Sequence, residues 1–331
     1  MEETIDILLA TYNGEKYLRE QIESILNQTY KNIRLIISDD CSKDSTRKIL
    51  EEFAQKDDRV KLYFQEKNLG YVKNFEFLLK QVENEYYMLS DQDDVWLDEK
   101  IEKSLQYLKH NNADLVFGDL EVVDQNLNTI YKSFCDFMLL NDKIKKNINS
   151  YIVNYLYNCV TGCTVLSKKK FIENILPIPK DSKYVAHDHW MGLMVSVHGG
   201  KLAYMTEKYI KYRQHGNNQI GTEKISHGFT SLEQVRKLFI DVKLGVFGTY
   251  VNNNEKFPEE IQKINTEALN YFKMVEQKKN FNFKNWNIYH KLYKNEKPDY
   301  YILNFIIMNM PFIGKYLFKI RLWILKLMKK R

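Results

Sequence analysis

The sequence predicts an α/β fold: a Rossmann-like, mainly parallel sheet with helices on both faces, followed by a helical C-terminal extension. Three observations predict it. Over the first hundred residues, short β-prone apolar runs alternate with longer runs of helical period, an order that implies parallel strands joined by helical crossovers. Polar clusters rich in Asp directly follow the apolar runs, where a parallel sheet gathers its ligand-binding loops. After about Gly221 the chain changes character and becomes rich in Lys, Asn and Tyr.

The elements follow in order. Ile5–Ala10 (IDILLA) reads as a strand, and Lys16–Leu26 as a helix with Leu18, Ile22, Ile25 and Leu26 on one face. Ile33–Ser38 is strand-like. Ser45–Phe53 is helical, with Ile49, Leu50 and Phe53 on one side. Lys61–Phe64 is a short strand, Asn74–Val82 a helix, Tyr86–Ser90 a strand, and Asp98–Leu108 a helix with Ile101, Leu105 and Leu108 inward. The middle of the chain is less regular. Asn158–Ser167 reads as a strand with Gly162 inside it, a position that often marks close approach of a backbone or ligand. A Pro-containing stretch at Leu176–Lys180 leads to AHDHWMGLMVSVHG, which is helical by the spacing of Trp190, Leu193, Met194 and Val197. Residues 230–290 have a polar, helical pattern. The expected division is a 1–225 α/β domain and a 226–331 helical region.

Bulk properties narrow the function. A length of 331 residues suits one large domain with an appendage, or two domains. The net charge of +6 is too modest to indicate a nucleic-acid partner, and none is expected. Cys41, Cys135, Cys159 and Cys163 form neither a disulfide framework nor a paired CxxC zinc site. The acidic start and short, interrupted apolar run do not read as a signal peptide, so a cytoplasmic body is expected.

The chemistry concentrates in three turns: ATYNG after the first strand, SDDCSKD after the second and SDQDD after the fourth. No GxGxxG, GxxxxGK[ST] or HExxH accompanies them. If phosphates bind here, a divalent cation is the natural substitute for a glycine-rich cradle, because it neutralises a diphosphate directly. Asp91 and Asp93, two apart at a strand end, can both reach one site. The bland alternatives are turn formation and helix entry, for which Asp is common.

ATYNGEKY, SDDCSKD, SDQDDVW and HDHW, in this order, resemble the inverting glycosyltransferases of family 2, which have the GT-A nucleotide-diphospho-sugar transferase fold. The resemblance covers roughly residues 4–220. SDQDDVW and YRQHGNN resemble a bacterial subgroup of rhamnosyltransferases that build surface polysaccharides. The resemblance implies a role for each matching residue. Tyr12 would lie against the pyrimidine base, with Ala10 and Thr11 lining the pocket by backbone. Asp40 would accept the base N3–H, with Asp39 shaping the turn. Asp91 would face the ribose or a metal-bound water, and Asp93 would coordinate Mg²⁺ or Mn²⁺ on the diphosphate. Asp188 would be the catalytic base. The family often has an acidic residue before that Asp; here His187 stands there, and either tunes the base or packs.

Residue chemistry adds further candidates, each with a structural alternative. His215 is a phosphate or metal contact, or a structural His. Arg213 is a second phosphate partner. Gly162 and Cys163 line the acceptor side, or form a packed strand. Trp96 and Trp190 stack on a sugar face, or at least one of them packs in the core. Asp94 serves local structure.

The resulting expectation is transfer of a sugar, L-rhamnose from dTDP-rhamnose first, to a hydroxyl of a cell-surface polysaccharide or lipid-linked glycan. A UDP-hexose or UDP-N-acetylhexosamine donor is the alternative within the same fold. A non-catalytic sugar-nucleotide-binding subunit and a nucleotidyltransferase are rivals from other classes. Oligomeric state is not legible. The stretch Tyr300–Gly314 has no charged residue, and Lys315–Arg331 has seven basic residues and no acidic one. That pattern reads as a basic amphipathic helix on an anionic membrane, placing the protein peripherally on the inner face of a bacterial membrane. A helix packed on the main domain with a solvated Lys edge is the alternative.

Overall fold

The computed structural model describes residues 2–137, 147–148, 151–180, 183–216, 232–277 and 283–293. The chain separates into two compact units, Met1–Asp181 with Ala186–Thr222, and Ser182–Val185 with Glu223–Arg331. The boundary expected at 225/226 lies outside the described residues.

The first unit opens with β1 (Ile5–Thr11), α1 (Leu18–Leu26), β2 (Ile33–Asp39), α2 (Thr46–Lys56), β3 (Val60–Phe64), α3 (Tyr71–Leu79) and β4 (Tyr86–Ser90). Strand β1 pairs in parallel with β2 and β4, and β2 with β3, as the alternating pattern predicts. The helices bury the faces their periodicity marks. Leu18, Ile22 and Ile25 of α1 join Ile5, Ile7 and Leu9 of β1 in one core cluster with Leu35, Ile37 and Met88.

The second half is mixed rather than parallel. It contains β5 (Val95–Trp96), α4 (Lys100–His110), β6 (Leu115–Val123), β7 (Thr129–Tyr131), α5 (Phe134–Phe137), α6 (Tyr151–Leu156), β8 (Leu166–Lys168), α7 (Ile172–Ile175), α8 (His187–Val197) and β9 (Leu202–Arg213). The sheet order is β3-β2-β1-β4-β8-β6-β9-β5, with β7 on β6. Short β8 runs antiparallel to both β4 and β6, and β5 antiparallel to β9. The strand expected over Asn158–Ser167 is instead a 3₁₀ turn at Gly162–Thr164 leading into β8. Strand β6 escapes the sequence pattern because Gly118, Asp119 and Glu121 interrupt its apolar run. Asp119 is nevertheless buried, accepting N–H bonds from Leu120 and Cys135 (2.9 and 3.0 Å) and an O–H bond from Ser133 (2.6 Å).

At the N-terminal edge of the sheet, fully buried Asp6 accepts Nε–H and Nη2–H from Arg34 (2.8 and 3.0 Å), the N–H groups of Glu83 and Asn84 (2.8 and 3.0 Å) and the Asn84 amide (2.7 Å). Burial alone would raise its pKa, but the Arg34 and Asn84 hydrogen bonds outweigh it and hold the carboxyl below its ordinary value. The stability it contributes is present above the unfolded carboxyl pKa and is lost as pH falls through the lower folded value. Asp6→Ala leaves Arg34 with only Glu83 and the Gln81 carbonyl, removes the acceptor of the Glu83 and Asn84 N–H groups, and is expected to cost about 3 kcal/mol in chemical denaturation.

The second unit contains α9 (Leu232–Asn252), α10 (Glu259–Glu276) and α11 (Phe283–Tyr293). Along α10, Ile261, Ile264, Ala268, Phe272 and Val275 form a buried stripe at 3–4 spacing. Phe272 stacks on Phe247 of α9 at 5.4 Å. Among the described residues, no helix is long and apolar enough to cross a membrane. The apolar and basic segments 300–314 and 315–331 lie outside the described residues.

Candidate active site

Strand register puts three loops at one edge. Thr11 pairs with Asp39 and Leu9 with Ser90, so Tyr12–Gly14, Asp40–Ser42 and Asp91–Asp94 all emerge together. Ala10 and Thr11 end β1. Ala10 is half-buried, and Thr11 is buried with its hydroxyl donating to Asp39 (3.2 Å). The Tyr12 ring is 45 % exposed, open to a flat ligand.

Asp39 is buried and shapes its turn: it also accepts the Ser42 backbone N–H (3.1 Å) and the Ser42 hydroxyl. Asp40 is only 2 % exposed, and its two oxygens accept the N–H groups of Leu69 (2.6 Å) and Gly70 (2.9 Å) at the entry to α3. It therefore clamps α3, and a base N3–H would have to use its remaining lone pairs.

The acidic loop divides by burial. Asp91 is half-buried; its pKa is raised by burial, then by the neighbouring Asp93 and Asp188 carboxylates. Asp93 Oδ2 lies 2.8 Å from His215 Nε2. Asp94 is fully buried. Its Oδ1 accepts the Arg213 N–H (3.2 Å), and its Oδ2 has no hydrogen-bond partner. Asp91, Asp94 and Cys163 offer ligand atoms within 4.8 Å of one another. Burial, then the Asp94 and Asp91 charges, push the Cys163 thiol well above its ordinary pKa. A protonated thiol is no ligand for a hard cation. Asp91 and Asp93 offer the hard oxygens that Mg²⁺ or Mn²⁺ prefers, and His215 touches Asp93, but among the described residues only Asp91, Asp94 and Cys163 bring three ligand atoms within 4.8 Å of one another. The mutual repulsion that raises Asp91 is what a divalent charge would relieve.

Asp188 sits in the first turn of α8. Its Oδ1 accepts the His189 N–H (2.7 Å) and the Asn158 amide (3.3 Å), and its Oδ2 accepts the Gly162 N–H (3.1 Å). His187 packs: its imidazole stacks on Phe75 of α3 (4.4 Å, 11°), with Tyr71 edge-on at 5.8 Å. Tyr71, which the motifs did not reveal, lies beside His187 and Asp188. It is 43 % exposed, and its phenol pKa is raised by partial burial and by the charge of Asp188. The helix starts three residues before its periodicity shows, because the Asp40 clamp at Leu69 and Gly70 is a contact between distant segments.

Several expectations are corrected. Trp96 is 2 % exposed within the core cluster, with the Lys100 amine 3.2 Å above its ring. Trp190 is fully buried and donates its indole N–H to the Ile175 carbonyl (2.8 Å). Neither face can meet a sugar. Gly162 and Cys163 are buried, the first supporting Asp188 and the second lying beneath the acidic loop, so they do not form an open acceptor surface. Arg213 is not available as a phosphate contact. It is 2 % exposed and donates to the Asp93 carbonyl (2.8 Å), the Gln125 carbonyl (2.7 Å) and the Glu20 carboxylate, bracing the acidic loop from behind.

The sequence profile described as Glycosyl transferase family 2 matches residues 6–175. An uncharacterised glycosyltransferase of Haemophilus influenzae is 31 % identical over 222 residues, covering 64 % of this chain and 66 % of its own. One from Rickettsia bellii is 30 % identical over 234 residues, 67 % of this chain but 31 % of its own. The alignments thus span about a third to two thirds of these relatives. Among solved structures, Staphylococcus aureus TarS 1–349 in complex with UDP-GlcNAc has a TM-score of 0.55 at 18 % identity, covering 88 % of this chain and 81 % of its own. The Pyrobaculum calidifontis mannosyltransferase PcManGT, in complex with GDP-Man and Mn²⁺, has a TM-score of 0.53 at 15 % identity, covering 82 % and 70 %. Loops, sheet order and profile agree: the chain belongs to glycosyl transferase family 2 and has the GT-A fold.

Proposed function

We propose that the protein is an inverting, cation-dependent glycosyltransferase that moves a sugar from a nucleoside diphosphate to an acceptor hydroxyl. One observation carries this reading. Asp188 is held by the Gly162 N–H, next to Cys163, whose sulfur lies within 4.8 Å of an Asp91 carboxylate oxygen, and its charge helps to raise the Asp91 pKa. A proton acceptor thus stands beside a carboxylate pair suited to a cation. Tyr12 offers its exposed ring to the base, and Asp40 its remaining lone pairs. Asp91, Asp93 and His215 would hold Mg²⁺ or Mn²⁺. When bound, that ion neutralises charge on the departing diphosphate. Asp188 takes the acceptor proton as the hydroxyl attacks. One base and one displacement invert the anomeric centre, whereas retention by a covalent route needs a carboxylate nucleophile.

The donor proposed first is dTDP-rhamnose, with UDP-hexoses and UDP-N-acetylhexosamines as alternatives; TarS and PcManGT bind UDP-GlcNAc and GDP-Man. The acceptor is a growing surface polysaccharide or a lipid-linked glycan. A thermal-shift panel of dTDP-, UDP- and GDP-sugars with Mn²⁺ tests the reading, since a ligand of the native state raises its apparent stability. Selective stabilisation by one donor is expected, and no response to any of them would overturn it. Residues 315–331 would rest on the anionic cytoplasmic leaflet. Their deletion is expected to abolish co-flotation with phosphatidylglycerol-containing liposomes, and unchanged flotation would refute the anchor.

A further inference from the structure

Gln92 lies between the two carboxylates assigned to the cation, but its side chain turns to the neighbouring loop. Its Oε1 accepts the backbone N–H of Tyr12 (2.8 Å), and its Nε2 donates to the backbone carbonyl of Tyr12 (3.0 Å). One carboxamide therefore satisfies both polar groups of a single residue, as a neighbouring β-strand would. The fit extends to Gly14, where a Cβ would stand 2.8 Å from Gln92 Cδ, too close for a side chain already pinned at both ends. The other side of the Tyr12–Gly14 loop is held separately. Asn13 N–H donates to Ser42 Oγ (2.9 Å), Lys43 N–H to Asn13 Oδ1 (2.8 Å) and Gly14 N–H to Thr46 Oγ1 (2.8 Å). The β2–α2 segment thus fixes the loop's base, and Gln92 fixes the backbone that carries the exposed Tyr12 ring.

We propose that Gln92 is a positioning residue that sets the Tyr12 ring at a fixed distance from Asp91 and Asp93, so that base recognition and diphosphate–cation binding stay in register. Gly14 is the space that permits this. The inference rests on the reading of Tyr12 as the surface for the nucleotide base. It assigns specificity for the nucleoside, rather than affinity for the phosphates, to a residue inside the acidic motif.

The test compares two probes on the full-length protein by titration calorimetry with Mn²⁺: the nucleoside diphosphate that binds the wild type best among UDP, dTDP and GDP, and inorganic pyrophosphate, which has no base. Gln92→Ala is expected to weaken nucleoside diphosphate binding about tenfold, as the loss of two hydrogen bonds allows, and to leave pyrophosphate binding unchanged. Gly14→Ala should reproduce that selective loss by displacing the carboxamide. The double variant should lose no more than either single one, because both remove the same contact. Gln92→Met, similar in length but without donor or acceptor, should behave like Gln92→Ala and checks the assignment if the shorter side chain loosens the loop. Wild-type nucleoside diphosphate affinity in both Gln92 variants, equal loss of pyrophosphate binding, or additive losses in the double variant would each overturn the proposal. A wild-type protein that binds pyrophosphate but no nucleoside diphosphate would instead overturn the functional reading, and the positioning role with it.

Discussion

Asp188→Asn is expected to lower turnover by about 1,000-fold, within the roughly 10²–10⁴ range of general-base catalysis. The substitution keeps size and removes the proton acceptor. It also has a structural cost. Three N–H donors, from Gly162, Asn158 and His189, converge on the two carboxylate oxygens, and an amide leaves at least one of them facing an NH₂ group. That mismatch costs about 1 kcal/mol, so a modest fall in Tm should accompany the kinetic loss. Binding of the donor nucleotide with Mn²⁺ should survive, because Asp188 is assigned to the acceptor hydroxyl. Undiminished transfer by Asp188→Asn would remove the base from the mechanism and favour a non-catalytic nucleotide-binding role.

The second large effect is expected at Asp93. Asp93→Asn should abolish the additional stabilisation that Mn²⁺ gives to nucleoside diphosphate binding and lower turnover at least about 100-fold, since charge neutralisation of a leaving diphosphate contributes several kcal/mol. His215 lies 2.8 Å from this carboxylate. As a ligand or as the group that orients Asp93, it should contribute about 10- to 100-fold in cation affinity, so His215→Gln should show a smaller loss of the same kind. Calorimetric titration of Mn²⁺ with and without nucleotide measures both. Retained cation dependence in Asp93→Asn would shift the metal role to Asp91 with Asp94.

The parallel half of the sheet was legible because each element there is a local pattern: short, nearly continuous apolar runs in IDILLA and IRLIIS, buried on both faces, and period 3.6 in α1 and α4. The site loops were legible because parallel strands must end on one edge, whatever the side chains do. The antiparallel half was not. Strand β8 has three residues, and β6 carries a buried Asp within its run. Both depend on partners far away in the chain. The same limit explains the corrected residues. The sequence names Arg213 as a cation and Trp190 as an aromatic ring, but not that the first donates to two backbone carbonyls and the Glu20 carboxylate and the second to the Ile175 carbonyl. Conversely, Tyr71 lies outside the recognised motifs and Gln92 inside one, and the contacts that single them out cross between loops.

Asp188, the proposed base, lies in α8, in which every residue from His187 to Ser196 is buried. Three N–H donors also hold its carboxylate, so the incoming molecule would supply most of the adjustment. Only a hydroxyl delivered along one line of approach meets the proton acceptor at bonding distance, and a neighbouring hydroxyl on the same ring would arrive misaligned. With Asp188 as the proposed base, regiochemistry would follow from the fixed placement of a single helix. From an acceptor offering several equivalent alcohols, one positional isomer of the product is expected to dominate, whichever sugar is transferred.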